Sequence, residues 1–300
     1  MNSDELVQAQ YEIEKRYSNN QLIPRLKREL KQEPEIINII NTNNLPLEFC
    51  ITALVHLSLM RRANVQTMIG LMRNFYEDIQ DVAAVLVKMI ESDLMDFDSV
   101  FITKYLISQE TQIEIDRYQF PLPMVIQPLK LRTNKDTGYL TSKSSVILNN
   151  NHTEEDVCLD HLNRLNKIPL SIDIDTATFI KNKWRNLDHK KSDETFEEYQ
   201  NRKKQFKKYN DITLFVMEFL KQFSDTIYLT HSYDKRGRTY TRGYHINDQG
   251  NGWNKAVINF SKGEYINDLL YNENSTLSLG YIGMEDMKKI MKTDGKFNEE

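Results

Sequence analysis

Apolar residues recur every three or four positions along the first third of the chain, which is the spacing of amphipathic α-helices. The pattern is charge-rich from Asp4 to Asn44, and it strengthens between Leu45 and Leu94, where it predicts three helices. The last of these places Val82, Leu86 and Met89 on one face. We therefore expect the chain to begin with a helical domain.

The period shortens after this domain. Residues Val100–Ile107 are β-branched and aromatic, and Gln112–Tyr118 alternates between apolar and polar positions. Two such runs separated by a short polar stretch predict a β-hairpin. Helices followed by a hairpin fit a winged helix, and they fit equally well a helical domain that a hairpin merely caps.

Prolines interrupt the next segment. Three of them lie between residues 121 and 128, where they exclude a regular helix and predict an extended connection. Helical patterns return from Asp173 to Asp188 and from Ser192 to Asp225, with Asp211 as a candidate start for a further helix. The second half is therefore predicted to be helical at first.

Short strands predicted at Ile227–Thr230 and Val257–Phe260 flank a tract in which glycine, arginine and aromatic residues alternate. The chain has ten glycines, and five of them lie between Tyr233 and Gly263. Glycine lets a backbone approach another molecule closely, guanidinium groups suit phosphates, and aromatic rings stack on bases. The tract is therefore predicted to contact a nucleic-acid backbone.

Taken together, these patterns predict a mainly α protein with small β-sheets, in the α+β class. The net charge is −4, so any binding of nucleic acid has to come from a local basic patch. Cys50 and Cys158 provide neither a disulfide framework nor zinc-ligand spacing. No apolar run approaches the ~20 residues needed to cross a bilayer, so we expect a soluble protein without membrane contact.

A second basic cluster lies within the Ser192–Asp225 pattern. Taken alone, such a run is most often a solvated helix face, and a contact with nucleic acid is the alternative. The cluster consists of Lys203, Lys204, Lys207 and Lys208.

The order of motifs in the glycine-rich tract resembles that of single-subunit DNA-dependent RNA polymerases of the T-odd phage and mitochondrial type. Upstream segments are similar too, so the resemblance covers roughly Val82 to Tyr265. The elements that carry it are Asp234-x-x-Gly237-Arg238-x-Tyr240, Asn247-x-Gln-Gly-Asn251, Lys255 and Phe260-Ser-Lys-Gly263.

The resemblance implies a role for each matched residue. Arg238 would hold a backbone phosphate near the growing RNA end, and Gly237 would allow the main chain to approach. Asp234 would orient the arginine or brace the turn. The remaining contacts to template or hybrid would come from Arg236, Tyr240 and Lys255, and from Lys203, Lys204, Lys207 and Lys208 acting by charge.

The resemblance also implies a division of the chain into functional regions. These are a helical N-terminal domain ending in a β-hairpin (1–120), a proline-rich connection (121–172), thumb-like helices (173–225) and a template- and hybrid-contact region with the start of the palm (226–300). The Asp-x-x-Gly-Arg motif is expected on a β-hairpin within the last region.

The metal-binding aspartates of the family have no counterpart in the matched motifs. The chain is therefore most similar to the small subunit of a two-chain phage RNA polymerase, with no catalytic residue, metal or cofactor of its own. A large catalytic subunit would supply the aspartates and Mg²⁺, in the cytoplasm of an infected bacterial host. The expected partners are that subunit, template DNA and the RNA–DNA hybrid, and a single-stranded-DNA-binding recruitment factor is left open.

The alternative hypothesis is a free-standing winged-helix transcription regulator. Its reader would be the Val65–Tyr118 segment, and it would bind duplex DNA by sequence. The candidate reader side chains are Asn64, Gln66, Arg73 and Asn74.

Overall fold

The computed structural model describes residues 2–16, 21–148, 151–183 and 185–263. Residues 264–300 of the predicted region 226–300, which combines the template and hybrid contact with the start of the palm, lie outside the described residues. Within the described ranges the chain forms eleven α-helices and seven short strands. The helices are α1 (Ser3–Lys15), α2 (Ile23–Gln32), α3 (Pro34–Thr42), α4 (Leu47–Met60), α5 (Val65–Met72), α6 (Ile79–Glu91), α7 (Gln109–Tyr118), α8 (Leu159–Leu165), α9 (Ile174–Phe179), α10 (Phe196–Lys221) and α11 (Gly252–Ala256).

The strands form three small antiparallel sheets. One sheet has three strands in the order β1-β3-β2, and the other two are pairs, β4 with β7 and β5 with β6. The α+β class with small sheets is therefore confirmed. The strands are β1 (Arg62–Ala63), β2 (Asp96–Asp98), β3 (Val100–Ile102), β4 (Leu170–Ile172), β5 (His231–Tyr233), β6 (Thr239–Thr241) and β7 (Ile258–Phe260).

The helices of the first 94 residues follow the apolar pattern. The three helices predicted between Leu45 and Leu94 are confirmed as α4, α5 and α6. Pro24 and Pro34 lie in the first turns of α2 and α3, where no backbone N–H donor is needed. The side chain of Asn2 caps α1 together with Glu5.

The predicted strand at Gln112–Tyr118 is wrong, because this segment forms α7. The Ser108 hydroxyl accepts a hydrogen bond from the backbone N–H of Thr111 at 3.2 Å, which starts the helix. Thr111, Ile115 and Tyr118 are buried on its inner face, whereas Ile113 is 41% exposed. The buried positions of this segment therefore have a helical spacing, although its sequence alternates between apolar and polar residues. The hairpin is formed earlier in the chain, by β2 and β3.

The helical prediction over Asp173–Asp188 is confirmed only in part, as α9 and a short 3-10 helix at Arg185–Leu187. The described part of this segment contains α9, and after it the carbonyl of Ile180 accepts a 2.8 Å hydrogen bond from the Trp253 indole. In contrast, α10 runs through Asp211 without a break for 26 residues. The structure thus has a short helix in place of the first predicted helical segment and one long helix in place of the second.

The hydrophobic core crosses all of the regions inferred from the resemblance. One cluster of buried side chains includes Ile13, Tyr118, Tyr139, Met217 and Val257. The described residues up to Lys262 form one compact unit. The predicted boundaries at residues 120, 172 and 225 therefore lie within one continuously packed unit. Among the described helices, none is both long and apolar enough to cross a lipid bilayer.

Residues 119–148 contain no helix and only isolated strand-like pairs, so their buried backbone groups need other partners. The fully buried Glu14 carboxylate accepts hydrogen bonds from the backbone N–H groups of Leu140 (2.9 Å) and Thr141 (2.7 Å). Gln10 accepts one from Val125 N–H at 2.9 Å. Helix α1 thus holds the irregular segment in place.

Tyr139 lies at the centre of the same segment. Its hydroxyl donates to the carbonyl of Leu122 (3.2 Å) and accepts from the hydroxyl of Thr230 (2.9 Å). Burial raises the pKa of Tyr139 to about 12, so the phenol stays protonated. Gly138 before it has a φ of +87°, and a Cβ there would lie 3.1 Å from Pro128 Cβ. This turn therefore requires glycine.

The Glu14 contacts predict a large effect for a nearly isosteric substitution. Glu14→Gln places an amide N–H group against backbone donors, so we expect a loss of about 2–3 kcal/mol in the free energy of unfolding. Glu12→Gln, on the exposed side of the same helix, is the control and should change it by less than about 0.5 kcal/mol. Urea denaturation followed by circular dichroism measures the free energy of unfolding of both variants. Equal midpoints for the two variants would show that the Glu14 contacts do not stabilise the fold.

Buried His245 predicts a pH dependence of stability. Burial lowers the pKa of His245 to about 4, so the unfolded chain binds more protons than the folded chain between pH 4 and 6.5. This histidine therefore lowers stability as the pH falls through that window and has no such effect above it. We expect His245→Gln to flatten the rise of Tm between pH 4.5 and 6.5, measured by calorimetry, and a rise equal to that of the unmodified chain would contradict this effect.

Candidate nucleic-acid interface

The Asp-x-x-Gly-Arg motif lies on the tight connection of the β5–β6 hairpin. Tyr233 pairs with Thr239 at its end, and the backbone N–H of Asp234 donates to the carbonyl of Arg238 at 2.8 Å. Gly237 has a φ of +80°, a left-handed conformation that favours glycine, and apart from the adjacent residues no atom lies within 4 Å of where its Cβ would be. The glycine is therefore needed for the turn and leaves open space above it.

The carboxylate of Asp234 organises this turn. One oxygen accepts the backbone N–H groups of Arg236 (2.9 Å) and Arg238 (3.0 Å). The other accepts two guanidinium contacts from Arg238, Nε at 2.8 Å and Nη2 at 2.7 Å. Burial would raise the pKa of Asp234, but these backbone and side-chain hydrogen bonds outweigh it and lower the pKa to about 2. The carboxylate is thus ionised throughout the physiological range.

The two arginines are oriented and still accessible. The side chains of Arg238 and Arg236 are 54% and 66% exposed, whereas that of Asp234 is 16% exposed. The Arg238 guanidinium also lies 5.5 Å from the ring centroid of Tyr240. A guanidinium fixed on one side by a carboxylate and open on the other is suited to bind a phosphate oxygen.

An open cleft of about 360 Å³ lies beside the motif. Three cations and one carboxylate line it, which gives it a net positive charge suited to an anion. The lining residues are Leu148, Asn151, Asp234, Lys235, Arg236, Arg238 and Tyr240.

Hydrogen bonds from β5 to other segments fix the hairpin to the rest of the chain. The hydroxyl of Tyr233 donates to the carbonyl of Cys158 at 2.8 Å, so this ring is a packing residue. The backbone N–H of His231 donates to Asn166 at 3.0 Å. On the outer side, the Gln249 amide pairs with β6 as a strand would, accepting from Thr241 N–H (3.1 Å) and donating to the Thr239 carbonyl (3.0 Å). Gln249 lies within the matched Asn-x-Gln-Gly-Asn element and thus has a structural role.

The four predicted lysines of α10 do not form one surface. Lys204, Lys207 and Lys208 line a groove of about 500 Å³ between α10 and α7, and Lys208 forms an ion pair there with Asp116. The ammonium group of Lys203 instead lies 5.1 Å from the ring centroid of Tyr199.

Arg117 is a further cation in this groove, and its guanidinium lies 3.8 Å from the ring centroid of Phe215. It was missed from the sequence because its segment was predicted to be a strand. The helical periodicity of Thr111, Ile115 and Tyr118 would have placed it on α7.

Lys255 lies on α11 and is exposed. Among the described contacts, no hydrogen bond or ion pair links its side chain to the motif loop. The structure therefore brings together Asp234, Arg236, Gly237, Arg238 and Tyr240, and it places Lys255 and the α10 lysines on other elements.

In the ranges that the structure describes, no three His, Cys, Asp or Glu side chains are grouped so that they could hold a metal ion. Comparison of the sequence with known proteins gives no matching protein-family model and no matching curated protein.

The Asp234 contacts predict that removing this carboxylate weakens the binding of single-stranded DNA, which is the opposite of what the change in charge alone would do. Asp234→Asn makes the loop more positive, which by itself would tighten binding of a polyanion. It also removes the carboxylate that orients Arg238, so we expect binding of single-stranded DNA to weaken about five- to tenfold, or about 1–1.4 kcal/mol. Fluorescence anisotropy measures the affinity. Asp160→Asn, an equal charge change on the exposed face of α8, should not weaken binding, and tighter binding by Asp234→Asn would contradict the orienting role.

Proposed function

We propose that this chain is the small subunit of a phage-type DNA-dependent RNA polymerase and is not catalytic alone. The observation that carries the proposal is the ordered motif set from Asp234 to Gly263, whose first element forms a turn with two oriented, exposed arginines. The net positive cleft beside that turn supports a phosphate ligand. Other proteins also bind phosphate through arginine loops, so the polymerase assignment depends on the motif order.

In this proposal each part of the loop has one task. Arg238 holds a backbone phosphate of the template or hybrid, and Arg236 provides a second contact. Asp234 keeps Arg238 in place through hydrogen bonds that already exist without the ligand, so little side-chain freedom is lost on binding. Tyr240 supports the Arg238 guanidinium from one side.

The basic groove between α7 and α10 contributes by charge. Lys204, Lys207 and Arg117 are placed to attract a nucleic-acid strand without reading its sequence. Lys255 would make a separate contact with the hybrid. A second, larger chain would supply the catalytic aspartates and Mg²⁺, and the assembled enzyme would act in the cytoplasm of an infected bacterium.

Reconstitution tests the division of labour. RNA synthesis on a preformed RNA–DNA scaffold would be measured with this chain, with the proposed large chain, and with both. We expect full extension of the RNA primer only with both chains and Mg²⁺. Extension by this chain alone, or equal extension by the large chain with and without it, would contradict the proposal.

Arg238→Ala separates assembly from function. We expect the variant to copurify normally with the large chain and to extend the primer at least tenfold more slowly, because one oriented phosphate contact is lost. It should also reduce the slope of log affinity against log salt for single-stranded DNA by about 0.7. Arg73→Ala, which removes an exposed arginine remote in sequence, is the control. Unchanged elongation by Arg238→Ala would remove Arg238 from the site.

The second candidate function, a winged-helix regulator, has one observation in its favour. The elements α4, β1, α5, α6 and the β2–β3 hairpin occur in the order of a winged helix, with β1 and β2 flanking β3. The charge of α6 is against binding to DNA. Its exposed positions include Asp81 and Glu91 and one lysine, Lys88, and Asp78 caps its start.

Of the candidate reader side chains, Asn64 is already used to cap α5, where it accepts Thr67 N–H at 2.8 Å. A regulator of this kind would bind duplex DNA with a sequence preference, and Arg73→Ala would weaken that binding while Arg238→Ala would not. We expect the reverse pattern.

A further inference from the structure

A second cleft, separate from the motif loop, lies between the N-terminal half of α10 and the segment that follows β6. Its volume is about 450 Å³. It is lined by three aromatic rings, two amides and one guanidinium group. The lining residues are Arg202, Gln205, Phe206, Tyr209, Tyr244 and Asn251.

The aromatic rings form a partly open, fixed platform. The ring planes of Phe206 and Tyr209 are within 20° of parallel, with centroids 6.4 Å apart. Tyr244 stands almost perpendicular to Tyr209, at 87° and 5.5 Å. Phe120 stacks against Tyr244 at 4.2 Å, yet Tyr244 remains 49% exposed. A large apolar ring that is fixed by stacking and still exposed provides a surface on which another flat ring can pack.

The cleft is close to electrically neutral, although an arginine lines it. The Arg202 guanidinium forms two 2.7 Å contacts with the Glu194 carboxylate, and it also donates to the carbonyls of Asn186 and His189. Mainly because of the hydrogen bonds from Arg202, the pKa of Glu194 is lowered to about 2, so the pair stays ionised at neutral pH. Arg202 is thus occupied in holding the 186–194 segment, and it is not placed to bind a phosphate.

Amide groups supply the polar edge of the cleft. Asn251 uses its oxygen to cap α11 and its Nδ2 to contact Asn182 at 3.2 Å, so its side chain is fixed. Gln205 is exposed one turn before Tyr209 on α10. Amides can donate and accept hydrogen bonds, which suits the edges of heterocyclic bases.

We infer that this cleft binds a nucleobase, stacked on Tyr244 and contacted at its edge by Gln205. A base is flat, uncharged and rich in hydrogen-bonding groups, and it matches a neutral cleft of rings and amides better than a phosphate does. The inference rests on the proposed function for one point, namely that the base belongs to a nucleic-acid strand. Tyr244 follows Arg238 by six residues, so one segment of chain would provide both a phosphate contact and a base contact.

The test compares a single-stranded 12-nucleotide DNA with an abasic strand of the same length and charge. Fluorescence anisotropy with the full chain measures both affinities at several salt concentrations. We expect Tyr244→Ala to weaken binding of the normal strand about tenfold, to leave the abasic strand unchanged and to preserve the salt slope. Tyr244→Phe should retain normal binding, because stacking needs the ring and not the hydroxyl. Tyr11→Ala is the matched control, because Tyr11 is also a partly exposed tyrosine but lies on α1.

Two outcomes would overturn the inference. Equal weakening of both strands by Tyr244→Ala would show that the residue acts through folding or charge, and no weakening of either strand would show that the cleft takes no base. If Arg238→Ala still weakened both strands in that case, the proposed phosphate contact would stand. If neither variant had any effect, both proposals would fail. Displacement of the labelled strand by adenosine monophosphate, lost in Tyr244→Ala, would identify a free nucleotide as the source of the base.

Discussion

The backbone of residues 119–148 has to be satisfied without regular secondary structure, and much of the molecule depends on how this is done. Buried side chains from distant parts of the sequence provide the partners. Glu14 and Gln10 reach in from α1, and Asn163 pairs with both backbone groups of Leu131, at 2.8 Å and 3.0 Å. Such polar contacts are costly to leave incomplete, so they fix one arrangement of the segment.

The β5–β6 hairpin is built on this segment. Met124 pairs with Tyr228 just before β5, and Ile147 pairs with Tyr233 within it. The guanidinium of Arg242, just after β6, donates to the carbonyl of Ser145 at 2.7 Å. The exposed arginines of the motif turn therefore stand on a hairpin that is anchored on both sides. Rigid support of this kind lets a loop bind a ligand without first having to be ordered.

The sequence was a good guide where local signals and burial agreed. The three helices between Leu45 and Leu94 follow from the spacing of apolar residues, whereas the hairpin that carries Gly237 was expected from the resemblance. It was a poor guide where a distant contact decided the outcome. The Ile180 carbonyl accepts a hydrogen bond from Trp253, which is more than 70 residues away. Arg202 on α10 donates hydrogen bonds to the carbonyls of Asn186 and His189. Nothing in the sequence indicated that Asn182 contacts Asn251 or that Tyr209 packs against Tyr244. The residues of the motif turn, in contrast, are close in sequence, so their meeting could be predicted.

Photo-cross-linking can establish whether nucleic acid lies over the motif turn. An RNA–DNA hybrid carrying a photoreactive base would be irradiated with the full chain, and the modified peptides would be identified by mass spectrometry. We predict cross-links within residues 234–244 and along the α7–α10 groove. Cross-links confined to α6 and the β2–β3 hairpin would contradict this position, because they would place the nucleic acid on the winged-helix-like surface instead.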